Sequence, residues 1–168
     1  TFLRGDNTFN APPLGGITVA DQWRLTADIA GAGASANITT NLAQVSGAVI
    51  GGGMTESSGV FSFPSTGVYL VVVRLLFDFI ENNDNTFINI FITTNNSTYT
   101  SLDRFGASQR GASAADGQSS VGWSFIDVTD IANVKIKFTA ESQSGGTTFG
   151  GDPSANKTTF SFIRLGDT

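Results

Sequence analysis

An all-β sandwich or barrel is what this sequence predicts, and three observations carry the prediction. Segments of alternating apolar and polar residues recur along the chain, Gly-rich turns separate them, and nothing sustains a helical apolar stripe for three turns. At 168 residues the chain suits one domain, long enough to bury a real core.

Residues 1 to 22 hold turn formers and a Pro12-Pro13 pair without a sustained period, and read as an extended arm ahead of a domain over 23 to 168. The first clear strand then alternates Trp23, Leu25, Ala27 and Ile29 against Arg24, Thr26 and Asp28. Two weak strands follow, around Ile38 and over 45 to 50, closed by Gly51-Gly52-Gly53. In the stretch from Gly59 to Phe79, Phe61 and Phe63 share a face, Pro64 ends that strand, Gly67 supports a turn and Tyr69 opens the next strand. From Val68 to Val73 no residue is polar. A half-buried strand should alternate. If Tyr69, Val71, Val73, Leu75, Phe77 and Phe79 fill the core, then Val68, Leu70 and Val72 face outward and need a cover. Either a neighbouring subunit or a loop or arm of the same chain can supply it.

Four further strands are clear. Residues 87 to 94 place Ile88, Ile90 and Ile92 on one face and Phe87 and Phe91 on the other; 121 to 128 align Val121, Trp123 and Phe125. Residues 134 to 140 bury Val134, Ile136 and Phe138 with Lys135 and Lys137 outside, and the last strand sets Phe160 beside Phe162. The connections over 95 to 120 and 141 to 157 read as long polar loops.

Composition excludes several functions. Cysteine and histidine are both absent, which removes disulfides, thiolate metal sites, the commonest general base and the commonest metal ligand. Serine is plentiful, but a nucleophile needs a base, so the chain reads as non-enzymatic and without a cofactor. A net charge of −5, with Lys135, Lys137 and Lys157 as the lysines, argues against binding nucleic acid. Arg74 and Asp78 interrupt the longest apolar run well short of a membrane span, so no membrane insertion is expected.

Gly59, Phe61, Pro64, Gly67 and Tyr69 spell G-x-F-x-x-P-x-x-G-x-Y, and this resembles the central signature of the globular head of the complement first-component q subunit, whose fold is shared with tumour necrosis factor. The closing segment from Thr158 to Leu165 is similar to the last strand of that family, with Phe162 where the family usually has Gly. The resemblance implies a ten-stranded jelly-roll β-sandwich assembled as a homotrimer; the outward row of Val68, Leu70 and Val72, read from the alternation along the strand, then supplies the expected trimer interface.

Other candidate sites have plain readings beside the functional ones. Asp78, Glu81 and Asp84 gather oxygen ligands in an expected hairpin loop that could suit calcium, but the spacing is not that of an EF-hand, and a polar turn explains it. Asp127 and Asp130 read as turn residues bonding nearby amides. Tyr99, Phe105 and Phe149 lie among small polar residues, as in a glycan-contacting loop or in a loop whose aromatic tucks inward. Arg4-Gly5-Asp6 and the Asn-x-Ser/Thr triplets at Asn37, Asn95, Asn96 and Asn156 are short enough to arise by chance.

In texture the chain resembles jelly-roll trimers of virus particles, and that resemblance implies a structural protein: a homotrimeric knob on a tailed phage, decorating the head, anchored to a capsid or other virion protein through residues 1 to 20, and touching host surface glycans. The alternatives are a receptor-binding tail-fibre tip cut from a longer chain, and a secreted, extracellular complement-head-like binding module. Thr1 is accordingly either a processed terminus or a boundary within a longer protein.

Overall fold

The computed structural model describes residues 2–3, 9–10, 15–30, 35–79, 85–108, 116–142 and 147–168. Within the arm, β1 (Phe2–Leu3) and β2 (Phe9–Asn10) pair as a small ribbon. The remaining strands are β3 (Ala20–Leu25), β4 (Ile29–Ala30), β5 (Ala36–Asn37), β6 (Leu42–Ile50), β7 (Thr55–Ser57), β8 (Val60–Ser62) and β9 (Gly67–Phe79). After these come β10 (Asn85–Thr93), β11 (Thr100–Ser108), β12 (Asp116–Val128), β13 (Lys135–Ser142), β14 (Thr147–Phe149) and β15 (Thr159–Gly166).

Ten of them build the sandwich. One sheet runs β12-β9-β15-β3-β6 and the other β11-β10-β13-β8-β7, all antiparallel. The short β14 and β4 continue the first sheet beyond the end of β15, and β5 flanks β13 in the second. The all-β jelly roll predicted from the sequence is thus the observed fold.

Side-chain alternation explains the packing. The inward rows of both sheets meet in a core centred on Phe61, whose ring lies 5.3 Å from Trp23, 5.5 Å from Phe138 and 5.2 Å from Phe162. The signature glycine nearby has a conformational duty. Ser58 and Gly59 both have positive φ, 52° and 83°, which closes β7 onto β8 in a two-residue hairpin whose twist suits the flanking strands. A Cβ on Gly59 would also stand 2.1 Å from the Ile38 carbonyl oxygen, so the position is closed to other residues twice over.

Two segments expected as polar loops are strands instead. Residues 100–108 form β11, a sheet edge whose exposed and half-buried positions carry too few apolar residues to show alternation. Residues 147–149 form β14, too short to show a period. The sheet also begins at Ala20, ahead of Trp23, and ends its first strand at Leu25 rather than Ile29.

Asp21 is 2% exposed and has no cationic partner among the described residues. Its carboxylate accepts from the Met54 amide at 2.7 Å, the Trp23 indole Nε1 at 2.8 Å and the Gln44 side-chain amide at 3.0 Å. These bonds tie β3 to β6 and to the loop before β7 at the point where the β3–β6 register shifts. Asp21→Ala strands buried donors, so an expected destabilisation of about 3 kcal/mol should appear as a lowered urea midpoint. An unchanged midpoint would show that water replaces the carboxylate.

Candidate interaction face

The candidate site is the outward face of the sheet centred on β9. Tyr69, Val71, Val73, Leu75 and Phe77 are fully buried inward, while Val68, Leu70 and Val72 lie half-buried on the other side. On one flank β12 sets Asp127 opposite Val68, Phe125 opposite Leu70, Trp123 opposite Val72 and Val121 opposite Arg74. Across the other flank β15 sets Ile163 opposite Leu70, Ser161 opposite Val72 and Thr159 opposite Arg74. Trp123 and Phe125, each 57% exposed, pack edge to face at 5.2 Å, and Val121 is 63% exposed. Leu165 extends the exposed apolar surface on β15. Three adjacent strands thus present one continuous apolar surface.

The sequence aligns Val121, Trp123 and Phe125 but does not say which way they face. Gly122, Ser124, Ile126 and Val128 are the inward residues of β12, the smaller set. The reason lies in β11: the Phe105 ring leans over Gly122, where a Cβ would stand 1.9 Å from its Cδ1. Ser124 Oγ donates to Asp103 along the same seam. Small residues close the sandwich edge, and the large ones are left outside.

Toward β3 the face becomes polar. Gln22 Nε2 donates to Ser161 Oγ at 3.0 Å, Asn156 Nδ2 donates to Gln22 Oε1 at 3.4 Å, and Arg24 reaches Asn156 Oδ1 at 3.2 Å. The segment 152–157 therefore covers this half, leaving the β12–β9–β15 half bare.

The aromatics read as loop residues separate. Phe149 is fully buried in β14 with its ring 5.4 Å from Phe77, so the glycan-contact expectation for it is corrected: apolar packing under the sheet end claims it. Phe105 is likewise a half-buried strand residue packed on the core, not a loop tip. Tyr99 remains at the surface, half-buried, with Lys137 Nζ 4.5 Å from its ring centroid, and burial pushes its phenol above the usual range.

Glu81 and Asp84 lie outside the described residues, as do Arg4, Gly5 and Asp6; for Asp78 the backbone alone is described, near the end of β9. Among the described residues no group of acidic side chains could hold a metal ion, and no helix is long and apolar enough to cross a membrane. Asp130 closes the turn before β13, accepting from the Ala132 amide and the Asn133 side chain, which hold its carboxyl below the usual range. Asp127 stands apart on the outward face of β12, so the two carboxylates do not form a pair. Asn37, Asn95 and Asn96 are exposed, whereas Asn156 is engaged with Arg24 and Gln22. A pocket of about 190 Å³ between β4, β5, the segment 38–41 and Ala140 of β13 is lined by Ile29, Ile38, Asn37, Asn41 and Asp28, the last accepting from the Gly151 amide. It gathers no acid–base pair.

The sequence matches no protein-family profile and no curated protein. Solved structures do match in fold. Mouse APRIL at pH 5.0 superposes with a TM-score of 0.64 at 12% identity, over 88% of this chain and 98% of that one. The Eiger TNF of S. frugiperda gives 0.63 at 13% identity, over 91% of this chain and 96% of its own. The chain therefore shares the jelly-roll fold of tumour-necrosis-factor-type structures.

Proposed function

We propose that the chain is a non-enzymatic homotrimeric knob, three copies packing their β12–β9–β15 faces around a threefold axis. One observation carries this reading: Val121, Trp123, Phe125 and Leu165 stand exposed beside Val68, Leu70, Val72 and Ile163 on one flat sheet face. Covering the four most exposed side chains is worth on the order of 5 kcal/mol per subunit, and leaving them bare invites aggregation. Arg74 and Asp127 frame the patch along the strands, as a polar rim frames an apolar interface. The fold shared with the mouse and insect structures supports three copies. Sedimentation equilibrium at micromolar concentration should give three times the 17.5 kDa chain mass. A monomer would sink the reading, and a dimer would replace the threefold axis with a twofold one.

The knob belongs, in this proposal, to a virion: a tailed phage head decoration held to a shell protein through residues 1 to 20, with the surface around Tyr99 available to host glycans. Composition supports it. The chain has no Cys or His, 14% charged residues, and a surface rich in Gly, Ser, Thr and Asn. Gold-labelled antibody against the chain should decorate phage heads in electron micrographs. Label at fibre tips alone would favour the tip reading, and no label on any particle would end the virion assignment.

A further inference from the structure

The rim of the same face holds a second feature, built from the residues of one chain. Thr159 of β15 stands opposite Arg74 of β9 on one side and opposite Arg24 of β3 on the other. Two strand spacings separate the arginine backbones, about 10 Å, a gap that two guanidinium side chains span easily. Thr159 is 3% exposed although it lies on the outward side, so the flanking side chains close over it. Lys157 reaches the same end: its Cδ and the Leu76 side chain both lie within 3.5 Å of where a Cβ on Gly150 would stand.

The charges there are unequal. Asp152 lies 4.0 Å from Lys157 Nζ, and Asp28 accepts from the neighbouring Gly151 amide. The Asp152 carboxyl is held low by the Ser154 and Ala155 amides first, then by Lys157 and Arg24. Arg24 spends its two terminal nitrogens on Asn156 and the Pro153 carbonyl, and its Nε, shut off from solvent, has no partner among the described residues. Arg74 is exposed and makes no hydrogen bond or ion pair among the described residues. Three cations face two carboxylates, Asp152 and the Asp28 that accepts from Gly151, which leaves one positive charge in excess, and the Arg74 fork is unengaged among the described residues.

We infer that Arg74, Arg24 and Lys157 form a site for a small tetrahedral oxyanion, sulfate or phosphate, seated over Thr159. Guanidinium forks match such oxygens two at a time, and charge-assisted bonds of this kind are among the stronger ones.

The test is a titration of the whole chain with sodium sulfate and, separately, inorganic phosphate, at constant ionic strength set by sodium chloride. Both are followed by isothermal calorimetry and by melting temperature. Both anions stabilise proteins generally by exclusion, so the signal is a saturable, millimolar-range effect that Arg74→Gln weakens about tenfold or more. Arg104→Gln, on the opposite sheet, should titrate as the unaltered chain does. Two results overturn the proposal: no saturable binding up to tens of millimolar, or an Arg74→Gln variant that titrates unchanged. Sedimentation of the same samples separates this outcome from the fate of the trimer.

Discussion

Phe125→Asp is expected to convert the proposed trimer into a folded monomer of 17.5 kDa. Phe125 is 57% exposed in the single chain, so the change removes little from the core, and the subunit's own stability should move by roughly 0.5 kcal/mol or less. In the assembly each copy would bury an unpaired carboxylate against Leu70 and Trp123, at a cost of several kcal/mol per copy. The symmetry repeats that cost three times. Leu102, 40% exposed on the other sheet, provides the comparison: Leu102→Asp should leave the mass unchanged. If the Phe125→Asp chain sediments as a stable trimer, this face is not the interface and another surface must carry assembly.

The second large effect is in the core. Phe61→Ala should cost about 4 kcal/mol, because the site is fully buried and its neighbours sit in both sheets, where they cannot collapse together. For a chain of this length that lowers the melting temperature by about 10 °C. Calorimetry should be run in the Phe125→Asp background, so that unfolding is not coupled to dissociation. A loss of under 1 kcal/mol would mean that the sandwich closes over the gap and that the four-ring cluster is not what holds the sheets together.

Particular residues show how far the sequence could be followed. Phe61, Pro64, Gly67 and Tyr69 stand at the central core ring, the turn after β8 and the start of β9, while the duty of Gly59 in the β7–β8 hairpin emerges only in the structure. Tyr69 also anchors the turn after β8, its hydroxyl donating to the Ser65 carbonyl at 3.0 Å. The split of β9 into a core row and an outward row was readable because both rows are apolar and the period of two leaves no other division. The sequence places Phe105 and Phe149 in loops, with an inward-tucked ring as one of two readings; β14 is only three residues long, and the nine residues of β11 carry too few apolar side chains to show a period.

The sequence by itself determined the all-β class, the signature turn and the two faces of β9, all of which depend on local period and on residues next to one another in the chain. Tertiary structure alone decided the outward turn of Trp123 and Phe125, through the ring of Phe105 against Gly122. It also brought Arg24, Arg74 and Thr159 into one row from three distant strands. A strand has two equivalent faces until a partner strand packs on one of them, and long-range pairing makes that choice.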